Sequence, residues 1–322
     1  MRALQVTGQA GPDSLAMADV PDPVRGAGEV LVAVKAAGIA YPDLLLTRGL
    51  YQYRPDVPFV AGSEVAGVVL EAQSSSGYVP GQRIAAYPHL SGFQEQVSVQ
   101  VDRVFPLPDK VSFAAAAALP INYLTVHFAL RRRARLVPGD FVLVHGAGGG
   151  LGVAATQLAH ADGATVLAVV SDAAKAGVAR QAGADHVLPV EGFLAAAKEI
   201  TDGRGVDIVV DPVGGDRVTD SLRSLAPLGR LIVLGFTGGE IPTIKVNRLL
   251  LNNLDVIGVG WGAYAFAHDG YMREQWDDLL PLLSSGRLTP LVSRECRLED
   301  VPDVLRAMES RTQTGKAVAV LG

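Results

Sequence analysis

The chain of 322 residues has a single cysteine, Cys296, and few basic residues, with a net charge of −5. One cysteine excludes an internal disulfide and a cysteine-rich zinc site, and it suits a reducing compartment. The only basic cluster consists of three arginines at 131–133 and Arg135. This sparse positive charge argues against nucleic acid or an anionic membrane surface as a partner. The cluster itself is typical of a solvated helix end, where cations suit the helix dipole.

Long uninterrupted apolar runs are also lacking. The longest apolar stretch, residues 113–130, is interrupted by Pro120, Asn122 and His127. It predicts a buried linker helix and not a membrane span. The first residues alternate like a strand and lack the charged start, apolar stretch and cleavage site of a signal peptide. We therefore expect a cytoplasmic protein with no membrane partner and no nucleic-acid partner.

What the chain does contain is a strand, a glycine turn, a helix and a second strand over residues 140–172. An apolar run at 141–145 predicts a buried strand, and 166–170 predicts another. Between them Gly146, Gly149 and Gly152 stand three apart, where a side chain would obstruct a tight turn, a close phosphate or helix packing. Freed N–H groups at a helix start favour an anion. The segment predicts dinucleotide binding by the following residues: Gly146, Gly149, Gly150, Leu151 and Gly152.

The pattern of apolar residues and of glycine and proline differs between successive regions of the chain. Residues 1–112 contain short alternating or apolar segments between glycine and proline, which predict an all-β region. From about 114 to 262 strands and helices alternate, which predicts an α/β fold with a doubly wound parallel sheet. Its six strands are expected at 141–145, 166–170, 186–188, 206–210, 230–234 and 255–259, the usual Rossmann number. Helices at 273–285 and 299–310 and a closing strand at 317–321 complete the prediction.

Four stretches resemble one family: HGAGGGLGVAATQLA, ALPINYLTVHFAL, YPDLLLTRGLYQ with VPFVAGSEVAGVV, and the terminal GKAVAVL. Over nearly the whole chain they are similar to the zinc-independent quinone oxidoreductase (zeta-crystallin) branch of the medium-chain dehydrogenase/reductases. The resemblance implies a GroES-like β-rich catalytic domain at 1–116, a Rossmann dinucleotide-binding domain at 117–262, and a C-terminal part at 263–322 that returns to the catalytic domain. It also implies reduction of quinones, enones or enoyl thioesters with NADPH.

The sequence differs from zinc-containing relatives in the segments that hold their metal ligands. Those relatives place Cys and His in the segments that here read Gly38 to Asp43 and Gly62-Ser63-Glu64, where this chain has Ala40 and Ser63. Without soft ligands we expect neither a catalytic nor a structural zinc. A site of Asp43, Glu64 and His89 is conceivable. The alternative is that these carboxylates cap backbone N–H groups, as buried carboxylates in turns usually do.

The resemblance also implies roles for residues outside the glycine turn. Tyr51 matches a tyrosine that overlooks the substrate cleft, although the same residue is explained by a partly buried ring whose hydroxyl has a backbone partner. Thr125 matches a position beside the nicotinamide. Two segments follow the ends of later strands, where ligands of such sheets bind: Leu234-Gly235-Phe236 and Val259-Gly260-Trp261.

Two further features have alternative interpretations. Trp261, Tyr264 and Phe266 either form the wall of an apolar acceptor pocket or belong to a domain or dimer interface. His145 is interpreted as a structural histidine with satisfied hydrogen bonds, not as an acid or base. Cys296 has no sequence cue to nucleophilic chemistry.

Ser171 decides the expected cofactor. It stands 19 residues beyond Gly152, where NAD-specific relatives place an acid that binds the ribose hydroxyls. Serine leaves room for a 2′-phosphate, and Lys175 can reach it. Asp172 would restore a preference for NAD if it turned inward, but we expect it to face solvent or to cap the next helix. The prediction is NADP(H).

The chemistry favours activated acceptors. Without a metal ion, another group must polarise the acceptor carbonyl. A quinone or conjugated enone needs less polarisation, because one hydroxyl donor can stabilise the enolate that forms. The sequence predicts an NADPH-dependent reductase of quinones or α,β-unsaturated carbonyls. An enoyl-thioester reductase would need a basic site for the carrier phosphate, and none is distinct. A second alternative is an NADPH-binding sensor or structural protein with little catalysis, because Ala40 and Leu45 replace an Asn and a Tyr that the family's reductases often carry.

Assembly is predicted from residues 246–259. This segment has a helix-like LLLNNL followed by an apolar strand, which in the resembling family lies at a sheet edge. An unpaired apolar edge is an aggregation hazard. We therefore expect a homodimer with a continuous sheet.

Overall fold

The computed structural model describes all residues, Met1–Gly322, and the chain divides into two compact units. The first unit combines Met1–Ile121 with Asp269–Gly322, and the second comprises Asn122–His268. The chain therefore leaves the first unit once and returns to it. None of its helices is both long and apolar enough to cross a membrane.

The strands, in chain order, are β1 (Arg2–Val6), β2 (Leu15–Asp19), β3 (Glu29–Ile39), β4 (Phe59–Val60), β5 (Glu64–Ala72), β6 (Arg83–Ala86), β7 (Gln96–Gln100), β8 (Val104–Pro106), β9 (Phe141–His145), β10 (Thr165–Val170), β11 (His186–Pro189), β12 (Val206–Asp211), β13 (Leu225–Val233), β14 (Asp255–Gly258), β15 (Val292–Cys296) and β16 (Lys316–Val320).

The α-helices are α1 (Tyr41–Thr47), α2 (Phe113–Ala117), α3 (Pro120–His127), α4 (Gly150–Ala161), α5 (Ala173–Gln181), α6 (Phe193–Ile200), α7 (Val218–Ser224), α8 (Asn247–Asn252), α9 (Trp261–Ala265), α10 (Tyr271–Ser285) and α11 (Val301–Glu309). A π-helix, Phe128–Ala134, continues α3.

The first unit is β-rich and is organised around β3. This strand pairs antiparallel with β5, β7 and β16, and it is buried along most of its length. The large sheet has the order β15-β16-β3-β5-β6-β8, and a smaller sheet has the order β2-β1-β4. Its apolar core includes Val32, Val34 and Ile84, because alternate side chains of paired strands face the same side.

The C-terminal segment completes the first unit. Strand β16 lies between β15 and β3 in the large sheet. On α10, the Trp276 ring stacks on Phe105 at 4.8 Å between centroids, and its Nε1 donates to the Pro106 carbonyl at 3.0 Å. Cys296, at the end of β15, is half-buried, and burial raises the pKa of its thiol to about 11. The protonated thiol is a poor nucleophile at neutral pH, as the sequence predicts.

The second unit contains the predicted parallel sheet. Six strands lie in the order β11-β10-β9-β12-β13-β14, and all neighbours are parallel. Counted along the chain this is the order 3-2-1-4-5-6 of a Rossmann sheet. Val142, Leu143 and Val144 of β9 are fully buried, as a central strand covered on both faces requires. The α/β fold class and the positions of the six strands are confirmed.

Two predictions about the path of the chain are wrong. The all-β region contains a helix, α1, whose first turn has Pro42 and an Asp43 carboxylate that accepts the Ala40 N–H at 2.8 Å. Residues 113–130 do not form one linker helix. The stretch divides into α2 and α3, with Pro120 as the first residue of α3, because a proline has no N–H to continue the helix before it.

Candidate active site

The glycine turn connects β9 to α4. Gly146 has a φ of +60°, a left-handed conformation that favours glycine. A Cβ at Gly152 would lie 2.2 Å from the Gly146 carbonyl oxygen, so the helix packs against the turn only with glycine at that position. Gly149 is the N-cap of α4 and provides no side-chain cap. The N–H groups of Gly150, Leu151 and Gly152 therefore have no acceptor within the helix and are available to an anion.

Lys175 lies over this turn. A Cβ at Gly148 would be 2.4 Å from the Cβ of Lys175, so the two residues are in direct contact. The Lys175 ammonium donates to the Ser171 hydroxyl at 2.9 Å and lies 3.2 Å from an Asp172 oxygen. The structure thus brings Ser171 and Lys175 to the glycine turn. Gly148 is not among the cofactor residues that the sequence predicts, although its place among consecutive glycines is a signal for this role.

Asp172 is the N-cap of α5. Its Oδ1 accepts the Lys175 backbone N–H at 3.0 Å, and its Oδ2 accepts the Ser171 hydroxyl at 2.8 Å. The Lys175 N–H, followed by the Ser171 hydroxyl, lowers the pKa of Asp172 to about 2. The predicted capping role is confirmed, and the carboxylate is occupied by donors of its own chain.

The loops after β12, β13 and β14 lie at the carboxyl edge of the sheet, because parallel strands end at one edge. Asp211, the last residue of β12, accepts the N–H groups of Val213 at 2.8 Å and Gly214 at 2.9 Å. Its carbonyl accepts the Leu234 N–H at 2.9 Å. Burial raises the pKa of Asp211 above its ordinary value. Asp211 is not among the site residues that the sequence predicts, although an aspartate followed by Pro-Val-Gly-Gly is typical of a loop that a carboxylate orders.

The segments predicted to contact the cofactor after β13 and β14 also lie at this edge. The Val259 N–H donates to the Val233 carbonyl at 3.0 Å, so the segment Val259, Gly260 and Trp261 follows β14 directly. Trp261 is buried, whereas Phe236 is 37 % exposed. Thr125 is half-buried on α3.

Tyr264 packs within the second unit. Its ring stacks on Phe128 at 5.0 Å and on His268 at 3.9 Å, and the Arg132 guanidinium lies 4.8 Å above it. Arg132 also donates to its hydroxyl. These contacts occupy the Tyr264 side chain, so they do not support the interpretation of Tyr264 as the wall of an acceptor pocket.

The arginine cluster lies at the end of the π-helix, as the sequence predicts, and Arg132, Arg133 and Arg135 are exposed. Arg131 donates two hydrogen bonds to Asp162, at 2.9 and 2.7 Å, and Arg133 donates to the Gly258 carbonyl at 3.3 Å. Arg131 and Arg133 lie on the π-helix, which presents successive side chains differently from an α-helix. These acceptors are distant in the chain, so the sequence pattern did not indicate them.

His145 is a buried structural histidine, as expected, but only one of its nitrogens is bonded. Its Nε2 lies 2.8 Å from the Ser221 hydroxyl, and that hydroxyl donates to the Arg217 carbonyl at 3.1 Å. Nε2 therefore carries the proton, and the buried Nδ1 has no partner. Burial and the charge of Arg217 lower the pKa of His145 to about 3, so the ring is neutral.

Tyr51 lies in the first unit, half-buried in the loop after α1. Its backbone carbonyl accepts from Arg54, but its hydroxyl has no hydrogen bond to another residue. Burial, followed by the charge of Asp43, raises the pKa of Tyr51 above its ordinary value. The hydroxyl is therefore protonated at neutral pH. The interpretation of Tyr51 as a residue with a backbone-bonded hydroxyl is not supported.

The positions that hold metal ligands in zinc-containing relatives are occupied by a hydrogen-bonded cluster. Asp43 accepts the Ser63 hydroxyl at 3.2 Å as well as the Ala40 N–H. Glu64 accepts the Ile121 N–H at 2.8 Å and forms a buried ion pair with Lys316. No group of three or more His, Cys, Asp or Glu side chains in the structure is arranged to hold a metal ion. The donor set does not fit zinc, since both carboxylates are committed to protein donors.

Comparison with known proteins identifies the family. Residues 26–109 match the family model described as alcohol dehydrogenase GroES-like domain, and residues 150–285 match the one described as zinc-binding dehydrogenase. Quinone oxidoreductase-like protein 2 of Bos taurus is 35 % identical over 94 % of this chain and 87 % of its own. The chain belongs to the quinone oxidoreductase branch of the medium-chain dehydrogenase/reductases.

Solved structures of this family agree with the fold. A probable oxidoreductase from Mycobacterium abscessus is 42 % identical, with a TM-score of 0.92 over 100 % of this chain and 99 % of its own. The quinone oxidoreductase from Thermus thermophilus, also solved with NADPH, is 34 % identical, with a TM-score of 0.86 over 100 % of both chains. The predicted family is confirmed, and the NADPH complex confirms NADP(H) as a cofactor of this oxidoreductase family.

Proposed function

We propose that the protein is an NADPH-dependent reductase of quinones or α,β-unsaturated carbonyls that transfers hydride directly and uses no metal. The observation that carries the proposal is the contact of Lys175 with the glycine turn. It places an ammonium and the Ser171 hydroxyl beside a helix N-terminus with free N–H groups. A nicotinamide dinucleotide with a 2′-phosphate matches this combination of donors.

In this proposal the second unit holds the cofactor. The N–H groups of Gly150, Leu151 and Gly152 bind the pyrophosphate, and Lys175 with Ser171 binds the 2′-phosphate. The proposed nicotinamide contacts are Thr125, Leu234, Gly235, Phe236, Val259, Gly260 and Trp261. When bound, NADPH supplies the hydride, so the protein has to orient the reactants and exclude water.

The acceptor is polarised by a protein donor. We assign this role to Tyr51, whose hydroxyl is protonated at neutral pH and has no bond within the chain. A hydrogen bond from Tyr51 to the acceptor oxygen stabilises the negative charge that develops as hydride arrives. Activated acceptors need no stronger electrophile than this.

The test is stopped-flow oxidation of NADPH against quinones, enones and enoyl-CoA esters. We expect oxidation with quinones or enones, and Tyr51→Phe should lower kcat/KM by about tenfold to a hundredfold through loss of one hydrogen bond to a charged oxygen. Tyr53→Phe is the matched control, because Tyr53 lies in the same loop with an exposed side chain. Tight NADPH binding with no oxidation by any acceptor would refute the proposal in favour of a non-enzymatic role.

We also propose that the protein is a homodimer. Strand β14 lies at the edge of the six-stranded sheet, and none of the residues of α8, the helix that precedes it in the chain, is buried. Val246, Leu250 and Leu251 are 74 %, 78 % and 73 % exposed. Large apolar side chains next to an unpaired edge strand suit an interface with a second copy of the chain.

A further inference from the structure

Ser171, Asp172 and Lys175 form a closed triangle of polar contacts beside the glycine turn. The Ser171 hydroxyl donates to Oδ2 of Asp172 at 2.8 Å and accepts from the Lys175 ammonium at 2.9 Å. The same ammonium lies 3.2 Å from Oδ2 of Asp172. The two side-chain donors proposed for the 2′-phosphate are therefore both directed at one carboxylate oxygen of the protein itself.

The Asp172 carboxylate is held in place by the helix that follows it. Asp172 is the N-cap of α5, and its Oδ1 accepts the Lys175 backbone N–H at 3.0 Å. A capping side chain satisfies a helix N–H that has no acceptor within the helix. The carboxylate therefore cannot turn away from Lys175 without loosening the first turn of α5, and its second oxygen stays beside the two donors.

Lys175 has one fixed end and one mobile end. Its Cβ packs on the turn, since a Cβ at Gly148 would lie 2.4 Å from it. The ammonium is carried on a flexible stem of four carbons. A phosphate oxygen at hydrogen-bond distance from this ammonium lies within about 6 Å of Oδ2 of Asp172 as long as the ion pair is intact. A bound 2′-phosphate therefore either stays close to a second anion or breaks the ion pair, and both lower its affinity.

We infer that Asp172 is a specificity-determining residue that limits the preference for NADPH by competing with the 2′-phosphate for Lys175 and Ser171. This inference rests on the proposed function of those two residues as the 2′-phosphate donors. NADH has a hydroxyl in place of the phosphate, and a hydroxyl can donate to a carboxylate, so Asp172 does not oppose NADH. Repulsion between like charges about 6 Å apart in a partly exposed site corresponds to about a tenfold change in affinity.

The test is fluorescence titration of NADPH and NADH with the full-length wild type and Asp172→Asn. Asparagine caps a helix about as well as aspartate and carries no charge. We expect NADPH to bind the variant about tenfold more tightly, and the affinity for NADH to change by less than about twofold. A gain of the same size for both cofactors would show a general effect of charge and overturn the inference, and so would the absence of a gain for NADPH.

Two fragments of the cofactor locate the effect. Adenosine 2′,5′-bisphosphate carries the 2′-phosphate, whereas adenosine 5′-monophosphate lacks it, and neither contains nicotinamide. Calorimetric titration of both fragments should show the gain in Asp172→Asn for the bisphosphate alone. Equal gains for the two fragments would contradict competition at the 2′-phosphate.

Asp220→Asn is the matched control. Asp220 lies on α7 of the same unit and pairs with a cation three residues on, Arg223, at 3.3 Å. Its side chain is 47 % exposed, against 46 % for Asp172. The control therefore removes one carboxylate of equal exposure, and its affinity for NADPH should equal that of the wild type. A gain as large as in Asp172→Asn would refute a specific role of Asp172.

Asp172→Ser is a second neutral variant, used in case asparagine disturbs α5. Serine is also a good N-cap residue, so this variant should again prefer NADPH over NADH more strongly than the wild type does. Urea unfolding of both variants reports the capping role separately. A loss of stability with an unchanged ratio of the NADPH and NADH dissociation constants would show that Asp172 only caps the helix, and would overturn the inference.

Comparison with Lys175→Ala separates this inference from the proposed function. If the wild type binds NADPH and NADH equally and Lys175→Ala changes neither affinity, the proposed 2′-phosphate site is wrong and the inference fails with it. If the wild type prefers NADPH, Lys175→Ala removes that preference and Asp172→Asn leaves it unchanged, the proposed site stands and the inference alone is refuted.

Discussion

The Cα of Gly152 faces the carbonyl oxygen of Gly146 so closely that a Cβ on Gly152 would lie 2.2 Å from that oxygen. This contact fixes the first turn of α4 against the end of β9. It therefore sets where the free N–H groups of the helix point, which is the basis of the proposed pyrophosphate site.

Gly152→Ala should displace the helix from the turn. We expect the NADPH dissociation constant to rise by about tenfold or more and stability to fall by about 1–3 kcal/mol, as in overpacked sites. Isothermal titration and urea unfolding measure both. Gly177→Ala is the matched control: Gly177 lies inside α5 with nothing within 4 Å of an added Cβ, so stability should be unchanged or higher. Equal NADPH affinity in Gly152→Ala and wild type would contradict the proposed site.

Lys175→Ala should abolish cofactor discrimination. We expect the wild type to prefer NADPH over NADH by at least about tenfold, since a charge-assisted contact contributes roughly 1.5–3 kcal/mol. The variant should bind both cofactors with similar affinity. Fluorescence titration of both dissociation constants tests this, with Lys198→Ala on α6 as the control. Equal affinities in the wild type would refute the assignment of NADP(H).

Asp43→Asn should change how stability depends on pH. The folded pKa of Asp43 is about 7, above its unfolded value, so the group stabilises the fold most at acid pH and loses that contribution as pH rises through 7. Between pH 4 and 7 the loss is on the order of 1 kcal/mol per pH unit. Urea unfolding at pH 5 and pH 8 should therefore show the variant gaining stability relative to the wild type. A difference that is independent of pH would show that Asp43 does not titrate in the folded protein.

Chelation should leave the enzyme active. Asp43 and Glu64 are bonded to protein donors, and Ala40 and Ser63 offer no soft ligand. Prolonged dialysis against a chelator should preserve NADPH oxidation, and elemental analysis should find zinc well below one atom per chain. Stoichiometric metal that is lost together with activity would overturn the metal-free mechanism.

Leu250→Lys with Leu251→Lys should yield a monomer. Both side chains are more than two-thirds exposed on α8, where burial in an interface would make charge costly. Sedimentation at micromolar concentration should show a dimer for the wild type and a monomer for the double variant. Leu70→Lys is the control, because Leu70 is exposed on β5 in the other unit. A wild type that sediments as a monomer would refute the homodimer.

The sequence by itself determined the parts of the molecule that depend on local pattern. Apolar runs bounded by glycine or proline marked the strands of the second unit, because a strand buried on both faces must be apolar throughout. The spacing of Gly146, Gly149 and Gly152 marked the turn, since only glycine permits its backbone and its close packing. The capping role of Asp172 followed from its place between a strand and a helix.

Only the tertiary structure decided the features that join distant residues. Lys316 and Glu64 are 252 residues apart, and sheet pairing through β3 makes them an ion pair. The side chains of Arg131 and Arg133 donate to acceptors that no local sequence pattern predicts. The burial that raises the pKa of Asp43 comes from the packed first unit, so no short stretch of sequence contains it. Local sequence specifies backbone conformation, whereas the charge and bonding of a buried group depend on all the elements folded around it.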